Sequence, residues 1–263
     1  MAQPDAYRPL RVTAHLRTPY ASYDPWCPTL DGILGYVWWR RRLGRRRFYN
    51  TSVRADQPVS DADLPLARVV VGDEWVWACS APVPRPPAKE ALRYYHKRFD
   101  EQYERHLDLG RARRGVIQTA TGPYKSHRVP LRIVATPALD WYVVGDAEAL
   151  GSLLDEIQFV GKRYSHGHGE VLRWEVTPVD EDRSVVWEGR LTRPVPYAAV
   201  RQYALVQGSY APARRGIRPP YHHPQMQRAC VVPSTSGWPR MGKVKPVSSV
   251  GAGFDLGEES WYE

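Results

Sequence analysis

The stretch FVGKRYSHGHGEV at residues 159–171 decides the fold class, because it joins a helical pattern to a strand pattern through a glycine-rich turn. Its three glycines, Gly161, Gly167 and Gly169, let the backbone turn sharply and approach a ligand closely. Backbone amides freed in such a turn can form an anion-binding nest, and Lys162 and Arg163 add positive charge beside it. The turn therefore predicts contact with a phosphate chain. The alternative is a flexible turn with incidental charge.

Two familiar glycine motifs do not fit this turn. The Walker A pattern GxxxxGK[ST] is absent from the sequence, so nucleotide hydrolysis is unsupported. A dinucleotide-binding fingerprint would place GxGxxG after a first strand, and these glycines follow a helix instead.

The N-terminal third alternates between strand and helix patterns. Residues 7–18 alternate apolar and polar side chains, which predicts a strand with one buried face. Apolar residues at helical spacing predict a helix over residues 29–43 that runs into Gly44. Two short strands, residues 68–71 and 75–79, are predicted around the turn Gly72-Asp73.

The middle of the chain is predicted to hold an insertion. Residues 88–107 carry charges throughout and are interpreted as a helix. Residues 115–121 and 124–133 are predicted to be extended and to form a basic hairpin.

The remaining patterns complete a recognisable order. Residues 141–144 are a predicted strand, Asp146 is the predicted cap of the next helix, and residues 171–177 alternate as a strand. With the insertion at about residues 80–135 removed, the order is βαββαβ. The predicted fold is therefore α+β, with a ferredoxin-like (RRM-like) core, a basic β-hairpin insertion and a loop-rich C-terminal extension. The predicted domain spans residues 1–177, and the extension, residues 178–263, is expected to be partly irregular, with loop from about Gln207 on.

Composition restricts the class of partner. The 263 residues include 37 Lys+Arg and 28 Asp+Glu, which gives a formal net charge of +9. This excess of positive charge suggests that the protein binds a polyanion. Cys27, Cys79 and Cys230 are far apart in the sequence, so we expect neither a disulfide framework nor a zinc site. No cofactor is predicted. The N-terminus lacks the apolar stretch of a signal peptide and no window is apolar enough to span a membrane, so a cytoplasmic protein is expected.

Two motifs carry a family resemblance. FVGKR at residues 159–163 followed by SHGHGEV at residues 165–171 resembles the glycine-rich signature of the RAMP superfamily of CRISPR proteins. LDGILGY at residues 30–36 resembles the LDG-type opening of the first helix in several RAMP subunits. The match covers residues 7–177. Within the superfamily the chain is most similar to the Cas-five type, and in particular to the type IV effector complex member.

This resemblance implies a function and a set of partners. It implies a non-catalytic subunit that grips the five-prime handle of the guide RNA and caps the backbone filament of a ribonucleoprotein complex for antiviral defence. The implied partners are guide RNA, backbone RAMP subunits and a large subunit. Contact with target DNA near the flanking motif is left open, and contact with a membrane is not expected.

Three groups of residues are predicted to contact RNA. The first follows Trp38-Trp39 at the end of a helix, where cations also favour the helix dipole: Arg40, Arg41, Arg42, Arg45, Arg46 and Arg47. The second lies in the basic hairpin, which the resemblance identifies as a "thumb" and which could instead be a solvated or protein-contacting arm: Arg111, Arg113, Arg114, Lys125, His127 and Arg128. The third is the turn itself: Gly161, Lys162, Arg163, Tyr164, Ser165, His166, Gly167, His168 and Gly169.

An alternative function is a metal-independent endoribonuclease that processes the guide precursor. Such an enzyme needs a base for the ribose 2′-OH proton and an acid for the leaving oxygen. The candidates are residues 94–97 (YYHK), His166 with His168, and His222-His223. Because a lone histidine is more often structural than catalytic, the chain is predicted not to be an enzyme. Metal binding by His166 and His168 is not predicted, since only Glu170 lies near them in the sequence. A third hypothesis is a protein-interaction cap whose charge serves solubility.

Overall fold

An antiparallel sheet forms the centre of the fold. The structure is a computed structural model that describes residues 7–22, 24–49, 61–100, 119–121, 124–207 and 209–233, with residues 45–49 described by their backbone alone. The central sheet contains β1 (Tyr7–Leu16), β5 (Val83–Pro84), β8 (Ala138–Asp146) and β9 (Val171–Pro178), in the order β5-β8-β1-β9. Each neighbouring pair is antiparallel. The alternation predicted for β1 is confirmed, because Leu10, Val12 and Ala14 are fully buried on one face.

Two helices cover that apolar face. Helix α1 (Leu30–Tyr49) is interrupted at Gly44, whose φ of 72° and ψ of 156° are not helical. Helix α2 (Ala147–Leu154) begins where predicted, because the Asp146 carboxylate accepts hydrogen bonds from the amides of Glu148 and Ala149. Residues of both helices and of β1 and β8 share one hydrophobic core, which includes Leu34, Trp141 and Leu150.

The segment predicted as a helix over residues 88–107 is instead a strand where the structure describes it. Strand β6 (Lys89–Lys97) pairs along its length with β7 (His127–Ala135), and β7 also pairs with β2 (Tyr20–Ala21). The helix prediction was wrong because its local preference is overridden by the ladder with β7 and by an ion pair of 2.5 Å between Glu90 and Arg132 across the strands. Residues 101–107 lie outside the described part.

The hairpin predicted from residues 115–121 and 124–133 is not seen in the described residues. Strand β7 begins at His127 rather than at residue 124, and the strand that pairs along its whole length is β6. Of the predicted first strand, residues 115–118 lie outside the described part, and Thr119 accepts a hydrogen bond from the Ser126 amide at 3.2 Å.

The C-terminal extension is more regular than predicted. It contains β10 (Val186–Trp187), β11 (Arg190–Leu191), β12 (Val195–Pro196), α3 (Ala199–Gln202), β13 (Tyr210–Gly216) and β14 (Gln227–Pro233). Strands β12, β14 and β13 form an antiparallel sheet in that order. The expectation of loop from Gln207 on is therefore wrong for β13 and β14, and residues 234–263 lie outside the described part.

A second hydrophobic core explains this regularity. Hairpin β3 (Arg68–Val71) and β4 (Glu74–Trp77), confirmed as predicted, contributes Val71 and Val76 to a cluster with Ile217 and Val231 of the extension. The proline-rich segments thus order because they bury apolar side chains against distant parts of the chain. The fold is α+β with mostly antiparallel strands and few helices. Among the described helices, none has the length and apolar character that crossing a membrane requires.

Candidate nucleic-acid interface

Main-chain hydrogen bonds hold both ends of the glycine-rich turn, residues 161–169. The Lys162 amide donates to the Ala21 carbonyl at 2.8 Å, and the Gly169 amide donates to the Pro19 carbonyl at 3.0 Å. Gly161 and Gly169 have φ values of 84° and 73°, and a Cβ at either position would collide with a carbonyl oxygen. Gly161 is therefore required for the close approach of the turn to Ala21, before α1, and Gly169 for the close approach of the end of the turn to Val160.

The middle of the turn projects into solvent. Arg163 is left-handed (φ 61°, ψ 34°), a 3₁₀ turn spans Tyr164–His166, and Gly167 is left-handed again (φ 79°, ψ 15°). Tyr164 is 55% exposed, so the centre of the turn is not packed into the core. A left-handed residue next to right-handed ones is the backbone pattern from which anion-binding concavities are built. Within this turn the His166 and Gly167 amides already donate to the Arg163 and Tyr164 carbonyls, both at 2.9 Å.

The turn contacts the hairpin through one aromatic side chain. Tyr95 of β6 lies under the Arg163 guanidinium, 4.3 Å from ring centroid to Cζ, and meets the His166 ring edge-to-face with centroids 4.8 Å apart. Lys97 lies on the same face of the hairpin as Tyr95, two residues on, and is paired across the strands with His127. The turn thus contacts strand β6 through Tyr95, which belongs to none of the three groups predicted to bind RNA and was singled out only as a candidate acid–base residue.

The other face of the hairpin carries Arg128. Its guanidinium lies 4.2 Å from the Tyr94 ring, and its cross-strand partner is His96. Lys125 precedes the strand and is half-buried. The other predicted hairpin residues, Arg111, Arg113 and Arg114, lie outside the described residues.

The first arginines at the end of α1 hold the two helices together. Arg40 Nη2 lies 2.6 Å from Glu156 Oε2, and Arg41 Nη2 lies 2.5 Å from Glu156 Oε1. Hydrogen bonds from Arg40 and then Arg41 lower the pKa of Glu156. Arg42 stacks on Trp38, 5.2 Å from its ring centroid. The side chains of the remaining predicted arginines, Arg45, Arg46 and Arg47, lie outside the described part.

Arginines of the extension are likewise occupied in ion pairs. Arg215 pairs with Asp24, while Arg218 lies 2.8 Å from Asp61 and 3.1 Å from Glu74. Each pair joins the extension to an acid from the first 74 residues of the chain. These two arginines therefore fasten the extension to the rest of the fold.

His223, one of the candidate acid–base residues, and two of the cysteines are buried or nearly so. His223 is buried and caps a 3₁₀ turn, accepting a hydrogen bond from the Gln225 amide at 3.2 Å. Burial raises the pKa of Cys27 and of Cys79 to about 12, so both stay protonated thiols at neutral pH. Within the described ranges, no group of three or more His, Cys, Asp or Glu side chains could hold a metal ion.

A groove beside the turn has no counterpart in the sequence-based prediction. Its cavity volume is about 890 Å³, and its walls include Tyr36 of α1, Phe159 and Tyr164. Tyr36 sits at a helical position and Phe159 at the end of a helical pattern, so sequence periodicity alone would assign both to the core.

The described fold and surface define an α+β protein with a cationic, solvent-facing turn set against a strand hairpin. A family model described as "CRISPR type IV associated protein Csf3" matches residues 8–233, from β1 to the end of β14. The chain belongs to this family and is a type IV CRISPR-associated subunit. None of the curated proteins that were compared matches the chain.

Proposed function

We propose that this protein is a non-catalytic, guide-RNA-binding subunit of a type IV CRISPR ribonucleoprotein, gripping the five-prime handle and capping the backbone filament. The observation that carries this proposal is the exposed glycine-rich turn, which is anchored at both ends and contacts Tyr95 of β6 through the Arg163 guanidinium over the ring and the His166 ring edge-to-face. Membership of the type IV family supports the setting. The proposed partners are guide RNA, backbone RAMP subunits and a large subunit.

The sheet topology supports assignment to a ferredoxin-like, RAMP-type core of the Cas-five kind. Taken in chain order, β1, α1, β5, β8, α2 and β9 follow the pattern βαββαβ. The second and fourth of these strands lie at the sheet edges, with the first and third between them. The hairpin β6–β7 is inserted between β5 and β8, which is the position predicted for the thumb.

The proposed contacts are to the RNA backbone. Backbone amides at the centre of the turn would donate to a phosphate oxygen, with Lys162 and Arg163 supplying positive charge and the flat ring of Tyr95 holding Arg163 in place. Backbone contacts of this kind carry little base specificity and depend strongly on salt. If about four phosphates are neutralised, affinity for a single strand falls roughly 50-fold between 50 and 200 mM salt.

A charge-reversal experiment tests this proposal. The probe is an oligoribonucleotide with the five-prime sequence of the RNA that co-purifies with the complex, and binding is measured by filter retention across salt concentrations. The variant Lys162→Glu/Arg163→Glu should bind at least tenfold more weakly, and its salt slope should decrease by about 1.4. The control Arg190→Glu/Arg201→Glu makes the same change of charge at exposed positions of β11 and α3. Equal affinities for the variant and the control would contradict the proposal.

One contact favours endoribonuclease activity as a second candidate function. Tyr95 and His166, from two separate groups of candidate acid–base residues, lie edge-to-face with centroids 4.8 Å apart. The test is incubation of repeat RNA with the protein in the absence of metal. The binding proposal expects intact RNA. Cleavage at a single position that is lost in both His166→Ala and Tyr95→Phe would establish the second function instead.

A further inference from the structure

Three aromatic side chains face the groove beside the glycine-rich turn. Tyr36 and Phe159 are each 37% exposed, and Tyr164 is 55% exposed. The rings of Phe159 and Tyr164 have centroids 6.2 Å apart and are inclined by 42°. Single exposed aromatic residues are common on protein surfaces and need no explanation. Several aromatic rings that line one concave site are typical of a ligand-binding site.

The charged side chains of the groove are held in place by helix–helix contacts. Arg40 lies 5.7 Å from the centroid of the Tyr36 ring, and its ion pair with Glu156 fixes the guanidinium on the groove wall. Arg41 bonds the other oxygen of Glu156. Arg41 is not among the residues that line the groove, so Arg40 and Glu156 balance each other on this wall, and the aromatic rings are its main binding surface.

The groove is continuous with the turn. Gly161 and Tyr164 belong to the turn and also line the cavity. A nucleotide strand whose phosphate lies at the amides of the turn would therefore have its neighbouring base within reach of the groove. The cavity of about 890 Å³ is large enough for such a ligand, since pockets for organic ligands are typically about 300–1,000 Å³.

We propose that the groove receives an unstacked base of the single-stranded RNA, placed against the rings of Tyr164 and Phe159. This inference rests on the function proposed above and adds a position-specific base contact to a backbone-binding surface. Stacking on an aromatic ring accepts any base, because every base has a π face, and it favours the larger purines. The groove would therefore bind the base at one particular position of the guide RNA without requiring a particular base there.

An abasic scan tests the inference in the assembled complex. The probes are the five-prime oligoribonucleotide of the co-purifying RNA and a set in which each position in turn lacks its base. We expect one abasic position to lower the affinity of the native protein roughly tenfold, the loss typical of one stacked base. Tyr164→Ala should lower the affinity for intact RNA by a similar factor and should remove the effect of that abasic position. Tyr164→Phe should behave as the native protein does.

Control variants separate the groove from general effects. Tyr197→Ala removes an aromatic ring that is 53% exposed in the C-terminal extension and should leave the scan unchanged. Phe159→Ala is a second groove variant that leaves residues 161–169 unaltered in sequence, and it should reproduce the Tyr164→Ala result.

Each other outcome overturns the inference in a distinguishable way. Base binding in the groove is ruled out if loss of the base lowers the affinity equally at every position. It is also ruled out if the tenfold loss at one abasic position persists in both groove variants. In either case the proposal that the protein binds RNA still stands. Weakened subunit assembly with unchanged RNA affinity in the groove variants would identify a protein-contact site instead. Failure of the native complex to bind any probe would overturn the proposed function and this inference together.

Discussion

Replacing Asp31 by alanine should destabilise the whole fold, because this carboxylate joins its two hydrophobic cores. Asp31 is fully buried at the start of α1 and accepts a hydrogen bond from the Tyr221 hydroxyl at 2.5 Å. Its Oδ2 atom also lies 3.3 Å from Nη2 of Arg193, which is 2% exposed. Arg193 in turn donates to the carbonyl oxygens of Trp77 at 2.6 Å and Cys79 at 3.0 Å.

The charge states of this network follow from its geometry. Burial by itself would lower the pKa of Arg193, but Tyr221 and Asp31 beside it raise the pKa above the ordinary value. Burial raises the pKa of Tyr221, so its hydroxyl remains a hydrogen-bond donor at neutral pH. The buried guanidinium is therefore positively charged, and Asp31 is the acid that faces it.

The expected cost is large compared with the stability of an ordinary domain. Removing one partner of a buried ion pair costs about 3–5 kcal/mol, because the other charge stays buried without compensation. Total stabilities are about 5–15 kcal/mol. At an m-value of about 3 kcal/mol/M, a loss of about 4 kcal/mol shifts the urea midpoint by about 1.3 M.

Urea unfolding followed by tryptophan fluorescence measures this cost. Asp180→Ala removes an exposed aspartate and should change the free energy of unfolding by less than about 0.5 kcal/mol. Arg193→Met should destabilise as strongly as Asp31→Ala, and the double variant should be about 1–3 kcal/mol more stable than the sum of the single changes predicts. A cost below about 1 kcal/mol for Asp31→Ala, or simple additivity, would refute the reasoning.

Three further predictions concern the turn, a surface ion pair and a helix cap. Gly169→Ala should cost at least about 3 kcal/mol of unfolding free energy, because its Cβ would overlap the Val160 carbonyl. Gly167→Ala should cost about 1 kcal/mol, because the space around Gly167 is open. Equal costs for the two variants would be inconsistent with this geometry. Hydrogen bonds from His15 and then Thr177 lower the pKa of Glu175 to about 2, below the value of about 4.3 in the unfolded chain. The ionised glutamate therefore stabilises the fold above about pH 4, and this stabilisation is lost as the pH falls towards 2. The acid dependence of urea unfolding should be weaker in Glu175→Gln, and an unchanged dependence would argue against the pair. Asp146→Ala should cost about 1 kcal/mol, and Asp146→Asn, which can still cap, should recover most of it in thermal melts.

Local patterns in the sequence predicted local structure correctly. The alternation in β1, the Asp146 cap and the turn at Gly72-Asp73 each depend on neighbours within a few residues, so the sequence contains the information needed. The LDG stretch is different in kind. Its resemblance located the start of α1, but only the structure shows that Asp31 is used in the fold, through Arg193, 162 residues away in the sequence.

Errors arose where distant segments compete with local preference. The residues of β6 include good helix formers, and their strand conformation depends on β7, with which they form a ladder from Lys89↔Ala135 to Lys97↔His127. Strands β13 and β14 lie in the part of the chain from Gln207 on that is rich in proline, glycine and serine, and they order through the second core. Periodicity within a segment cannot reveal these interactions, because the number of residues between two segments that pack together follows no rule.

The candidate surface shows the same division. Sequence singled out the glycine-rich turn, but not that Tyr95 of β6 contacts it. It also could not distinguish arginines that face solvent from those that hold the fold together. Arg40 and Arg41 are occupied by Glu156, and the groove that Arg40 and Glu156 border is visible only in the folded structure.

By itself, the sequence determined the excess of positive charge, the periods of its helices and strands, and the glycines that permit left-handed backbone at positions 161, 167 and 169. These are properties of single residues and short windows. Tertiary structure decided which cations are neutralised, which face of the hairpin meets the turn, and where aromatic rings surround a groove. Those properties depend on contacts between residues far apart in the sequence, such as the 116 positions between Arg40 and Glu156, and only folding brings such residues together.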